Sequence, residues 1–122
     1  MKIKKIKEIK LPKSKIFKIF NFYKNSFKIK EIYIVQINGK ISRPWRQHMN
    51  CKKILLCFKG SFQIEIMKKS KIIKKKLKPN NFIDIPKKTI FKFSGLSKKL
   101  NYLIVLSDEQ NSLIVSKKNF NF

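Results

Sequence analysis

The chain has 122 residues, enough to bury one hydrophobic core and too few for two. Its 31 Lys and Arg against 6 Asp and Glu leave a formal charge of +25, which taken alone points to nucleic acid or an anionic surface. Ala, however, is absent, and the abundant Lys, Ile, Asn and Phe all have A/T-rich codons, so base composition accounts for the lysines without any partner. A hydrophobic share of 43% with 12% aromatics excludes a disordered basic tail, and no heptad, collagen or longer repeat is present.

Along the chain, Ile3, Ile6, Ile9 and Lys10 fall at near-helical spacing, but Pro12 ends that run and the same residues suit an edge strand. The first residues lack the apolar centre of a signal peptide, and no apolar run approaches the ~18 residues of a membrane span. The chain thus reads as cytoplasmic. Strand-like runs follow at 27–37, 53–58, 61–67, 72–77, 82–85, 89–93, 102–106 and 113–115. The clearest is 61–67, where Phe62, Ile64 and Ile66 alternate with Ser61, Gln63 and Glu65. Turn residues separate these runs at Asn38-Gly39, Lys59-Gly60, Lys68-Lys69-Ser70, Pro79-Asn80-Asn81, Ile85-Pro86 and Ser94-Gly95. Ser107-Asp108-Glu109-Gln110 has the composition to open one helical turn. The pattern predicts an all-β fold of about eight to ten strands with little helix, the count of a jelly-roll β-barrel. We read it as a single domain over 1–122, with a Lys-rich N-terminal edge segment at 1–25 and the barrel core at 26–116.

Chemistry concentrates in one stretch. Both arginines, the only Trp and the only His fall in Arg43-Pro44-Trp45-Arg46-Gln47-His48, in a chain whose composition disfavours such residues. On a regular strand Arg46 and His48 share one face while Arg43, Trp45 and Gln47 share the other, so all five line one pocket only if Pro44 marks a bulge. Cys51 and Cys57 show no metal-site spacing and no neighbouring base, which predicts reduced, half-buried thiols. No Gly-rich phosphate loop, HExxH or GxSxG is present, and six acids leave little room for a paired-carboxylate mechanism.

The spacing around His48 resembles the first motif of the cupins. Gly60 follows after eleven residues, matching the second His and closing Gly of that motif, with Arg46 at the first His position and Lys53 at the Glu position. The second cupin motif falls on Pro86, with Lys88 for its Gly and Phe91 for its His. Three of four metal ligands are thereby replaced, two of them by cations, so the resemblance is to a metal-free cupin. More specifically, Glu31-Ile32-Tyr33-Ile34-Val35-Gln36, Arg43-x-Trp45-x-x-His48, Lys53 and Gly60-Ser61-Phe62 resemble the WxcM-like sugar epimerases and dTDP-4-dehydro-6-deoxyhexose 3,4-ketoisomerases.

That resemblance implies a cupin-type jelly-roll enzyme of surface glycan (lipopolysaccharide) biosynthesis. Its substrate is a nucleotide-activated 4-keto-6-deoxyhexose, it needs no cofactor and no metal, and it pairs as a homodimer. His48 is then the base that removes the proton next to the carbonyl, with Tyr33 returning a proton and Arg43, Trp45, Arg46 and Lys53 binding the substrate. Nearby Arg46 and Lys53 are expected to hold His48 neutral at pH 7. Trp45 is placed at the rim, stacked on base or sugar, and Arg43 serves as a diphosphate clamp. The chain departs from the family at Arg46 and at Lys87-Lys88-Thr89. Two other readings are a cupin without turnover that binds a sugar nucleotide or another anion, and a basic nucleic-acid binder. Lysines spread over the whole length with no recognition motif argue against specific nucleic-acid binding.

Overall fold

The computed structural model describes residues 1–18, 27–110 and 114–116. These form twelve strands and no helix: β1 (Lys4–Lys5), β2 (Lys7–Leu11), β3 (Ser14–Lys18), β4 (Glu31–Asn38), β5 (Arg46–His48), β6 (Lys53–Lys59), β7 (Phe62–Lys68), β8 (Lys71–Leu77), β9 (Asn81–Ile85), β10 (Ile90–Gly95), β11 (Leu100–Ser107) and β12 (Ile114–Ser116). The excess over eight to ten comes from the N-terminal residues, whose ambiguous isoleucines sit in or beside short strands, and from the three-residue β5. Residues 27–30 precede the first long strand rather than belonging to it. At 108–110 there are bends instead of a helical turn, because Ser107 Oγ folds locally, donating to Glu109 O at 2.8 Å and accepting from Glu109 N at 3.3 Å. Leu113 lies outside the described residues.

Two five-stranded antiparallel sheets face each other, in the orders β1-β9-β6-β11-β4 and β12-β5-β10-β7-β8, beside a separate β2-β3 hairpin. From β4 to β12 the chain alternates between the sheets except at the β7–β8 hairpin, which is the winding of a jelly roll. Period-2 alternation selects what points inward. Phe62, Ile64 and Ile66 of β7 and Phe91 and Phe93 of β10 meet Leu55, Ile83, Leu103 and Val105 from the first sheet in one dry core. The Phe62 and Phe93 rings pack edge to face at 6.2 Å, a geometry that contributes about 1 kcal/mol beyond burial.

One end of the barrel is closed by a single amide. Asn101 is fully buried. Its Oδ1 accepts from Ser61 N and Ser97 N, and its Nδ2 donates to Ile37 O, Gly39 O and Ser97 O, all at 3.0–3.1 Å. Three turns are thereby tied together. Gly60 and Gly95 lie so close that a Cβ on the first would meet Asn101 Oδ1 and Leu100 O, and on the second Gly39 O. At the β7–β8 turn, Lys69 and Ser70 both adopt left-handed conformations, with φ of 50° and 64°.

Candidate active site

Strand parity assembles the other end. On β4, Glu31 and Tyr33 point inward while Ile32 and Ile34 point out. On β6, Lys53 shares its face with Leu55 and Cys57, which belong to the core. Ser107 of β11 pairs with Glu31 on one side and Lys53 on the other, so the polar row lies six residues along β11 from Asn101, at the opposite end of the strand. From the second sheet, β5 brings Arg46 and His48 to the same space. Although β5 has only three residues, its end is held by the 86–90 loop: Lys88 N donates to His48 O at 2.8 Å and Gln47 Nε2 donates to Lys88 O at 2.8 Å.

These residues line a cavity of about 300 Å³ together with Gln110 and Ile114. A second concavity, of about 350 Å³, lies beside β7 and β8 and is lined by Lys68, Lys75, Lys88 and apolar side chains. Its lining holds no His, Tyr or carboxylate. The smaller cavity is therefore the candidate site.

His48 is only 4% exposed, with its ring centroid 5.8 Å from that of Phe91. Burial first, then the charges of Lys53 and Arg46, lower its pKa to about 4, so the imidazole is neutral at pH 7. Its Nδ1 is buried with no hydrogen-bond partner among the described residues. Arg46 Nε is in the same condition. Burial, then Arg43, push the Arg46 guanidinium below its ordinary value, with Tyr33 opposing, yet an arginine remains a cation at physiological pH. Lys53, 3% exposed, donates from Nζ to Tyr33 Oη at 3.2 Å and stands 5.1 Å from the centre of that ring. The end thus gathers one neutral imidazole, one phenol held by an ammonium and a guanidinium with an unused N–H. These are the groups needed to move a proton beside a carbonyl and to stabilise the oxyanion that results.

Of the residues singled out by sequence, Tyr33, Arg46, His48 and Lys53 come together at this cavity. Arg43 does not line it. It is exposed, its N–H bonded to Phe93 O at 2.9 Å, and its charge reaches the site through Arg46. Trp45 is not a rim aromatic. It is 6% exposed, with Lys92 Nζ 5.2 Å over its ring. Trp45 lies beneath Lys92 on the outer face; the register shifts by one residue between the Arg46–Phe91 pair and the Ser42–Ser94 bridge, so an irregularity near Pro44 is present but does not bring Trp45 to the cavity. Glu31, Gln110 and Ile114 were not anticipated. Glu31 was accessible from its spacing of two from Tyr33 on one strand, whereas Gln110 and Ile114 carry no local signal. The thiols of Cys51 and Cys57 are fully rather than half buried, and burial pushes Cys57 up to about 11, which makes it inert as a nucleophile. Among the described residues there is no cluster of three or more His, Cys, Asp or Glu, and none forms a helix long and apolar enough to cross a membrane.

With this geometry in hand, the chain can be set beside known proteins. The family described as FdtA: WxcM-like, C-terminal matches residues 1–120. No curated protein sequence matches significantly. Among solved structures, the chain is similar to QdtA, a sugar 3,4-ketoisomerase from Thermoanaerobacterium thermosaccharolyticum in complex with TDP. That pair has a TM-score of 0.77 and 20% identity, covering 90% of this chain and 81% of that one. WlaRA, a TDP-fucose-3,4-ketoisomerase from Campylobacter jejuni, gives 0.76 and 22% over 90% and 82%. A dTDP sugar isomerase from Desulfovibrio desulfuricans G20 gives 0.80 and 10% over 94% and 82%. At these identities the structural likeness establishes a cupin-type jelly-roll fold, and the near-complete match places the chain in the FdtA family of WxcM-like, C-terminal domains.

Proposed function

We propose that the protein is a sugar-nucleotide isomerase. It acts as a single domain on a nucleotide-linked 4-keto-6-deoxyhexose as a 3,4-ketoisomerase or epimerase, in the cytoplasm, as a homodimer, for surface glycan synthesis. The observation that carries this reading is the lone imidazole facing a cavity between two cations and a phenol. Relatives support the substrate class: one QdtA structure holds TDP and another holds TDP-4-keto-6-deoxyglucose.

His48 takes the proton from C3, and the electrons of that bond move onto the C4 oxygen to give an enediolate. Lys53 and Arg46 stabilise this oxyanion. In the ketoisomerase direction the proton of the C3 hydroxyl passes to the C4 oxygen while Tyr33 protonates C4, leaving the carbonyl at C3. The proton held by His48 then returns to Tyr33 through the cavity. Arg43, at the flank, pairs with the diphosphate, and Trp45 backs β5 from outside. A base of pKa about 4 is weak in the empty site. The same two cations that lower it are countered by diphosphate and enediolate, so His48 becomes a stronger base when the substrate is bound.

Incubation with dTDP-4-keto-6-deoxyglucose in D₂O tests this reading. Deuterium is expected at C4 of a ketoisomerase product, or at C3 where the enediolate is reprotonated on that carbon, and His48→Asn should abolish its entry while binding persists. Binding by the wild-type protein without any exchange would leave a cupin that recognises the sugar nucleotide without turning it over.

A further inference from the structure

In a chain where 31 of 122 residues are Lys or Arg, a lysine at a solvated position carries no signal, but a lysine on the core face of a strand does. Away from strand ends, the described inward positions of the two facing sheets hold one lysine, Lys75 of β8. Its direction is fixed by the register: it pairs with Ile64, which is fully buried, and its row continues to Ile73 and Leu77. Lys74 and Lys76 on either side are exposed, whereas Lys75 is half-buried. Its ammonium has no carboxylate partner among the described residues. Strand β8 is an edge, and an inward lysine there discourages pairing with another chain. That purpose needs no cavity beneath the charge, and Lys75 has one. It lines the concavity of about 350 Å³ together with Lys68 and Lys88, against a wall of Ile66, Met67, Ile73 and Ile90. Three cations thus line one space without a counter-charge, an arrangement that an anion relieves. The lining has no aromatic ring to stack a nucleobase; its aliphatic and thioether side chains suit a methylene chain, to which Met adapts.

We propose that this cavity binds a single-chain amphiphile with an anionic head, a carboxylate or a phosphate. The chain lies on Ile66, Ile73 and Ile90, and the head sits among Lys68, Lys75 and Lys88. The volume is within the range of small-molecule pockets. Occupancy is coupled to the active site through one residue. Lys88 lines this cavity, while its N–H donates to His48 O and its carbonyl oxygen accepts from Gln47 Nε2, both at 2.8 Å. A head group that holds Lys88 therefore acts on the loop that holds the end of β5, and a ligand with different affinity for two positions of that loop shifts the balance between them. The binding site is separate from the sugar-nucleotide cavity and fails separately from the isomerase chemistry.

Calorimetric titration with decanoate and with decyl phosphate should show saturable binding of one equivalent; binding of either supports the site, and the tighter of the two identifies the head. Decanol and inorganic phosphate, each carrying half of the chemistry, should bind at least about tenfold more weakly. Lys75→Gln should weaken the amphiphile about tenfold, the value of one lost hydrogen bond to a charged group. Lys74→Gln, one residue along on the outer face, should leave it unchanged, which separates a site from the attraction of any anion to a chain of +25. Nuclear magnetic resonance of the wild-type protein avoids reliance on variants that fold poorly. Saturating decanoate should move the amide signals of Thr89 and Ile90 and the ring signals of His48. No saturable binding of either amphiphile, equal weakening by Lys74→Gln and Lys75→Gln, or shifts confined to the surroundings of Tyr33 and Lys53 overturns the site. A His48 ring that stays still while Thr89 moves overturns the coupling. Deuterium exchange on the sugar nucleotide without amphiphile binding sinks only this inference, and binding without exchange sinks only the isomerase.

Discussion

The two ends of β11 bury polar groups in opposite ways. At one, Asn101 is removed from water with both its oxygen and its nitrogen engaged, five contacts closing three turns. At the other, Arg46 Nε and His48 Nδ1 are buried with nothing to bond among the described residues, and Lys53 has a phenol as its hydrogen-bond partner. A satisfied buried amide is nearly free and fixes geometry, whereas each orphaned group costs about 1–3 kcal/mol. The contrast separates architecture from a place kept for a ligand: the first end gains stability from its polarity, and the second gives stability up.

Breaking the closed end has the largest expected effect. Asn101→Leu leaves several backbone groups of three turns unpaired and should cost about 4 kcal/mol in a urea melt; a loss below about 1 kcal/mol would mean that water replaces the amide and the contrast is false. The next effect is on pH. Because His48 has a folded pKa of about 4 against ~6.5 unfolded, the unfolded chain binds its proton first on acidification. The stability from neutral His48 is therefore complete above pH 6.5 and is lost as pH falls toward 4, by roughly 2 kcal/mol once the open mouth of the cavity is allowed for. His48→Gln should remove that slope, and melts at pH 7 and pH 4.5 for both proteins measure it. Smallest, and of opposite sign, is Lys53→Met. Removing a buried ammonium should raise stability by about 1 kcal/mol while deuterium exchange collapses, the expected trade between stability and function. If Lys53→Met destabilises the fold, the ammonium belongs to the architecture instead.

Much of this was legible because strands have a period of two. Alternation in Phe62, Ile64 and Ile66 located the core face of β7, and parity alone put Arg46 with His48 and against Gln47. The same parity applied to Trp45 places it outside, where the structure has it beneath Lys92. The one-residue register shift between Ser42 and Arg46 leaves it on that face. The short N-terminal strands were hidden because lysine reports neither face when it fills solvated positions of every kind. Gln110 and Ile114 enter the cavity through tertiary folding, with no local pattern to mark them. Glu31 shows the intermediate case, readable from Tyr33 once the strand was known and invisible to a search for motifs.

The β7–β8 corner has a wider meaning. Two-residue hairpins favour Asn-Gly where both residues turn left-handed, and here Lys69 and Ser70 occupy those positions, each at a backbone penalty of about 1–2 kcal/mol. Seven paired positions from Phe62↔Leu77 to Lys68↔Lys71 nonetheless keep the two strands aligned. Alignment is thus dictated by the ladder and its one rung buried on both strands, Phe62↔Leu77, and the corner follows passively, so the barrel tolerates at its bends residues that the turn itself disfavours.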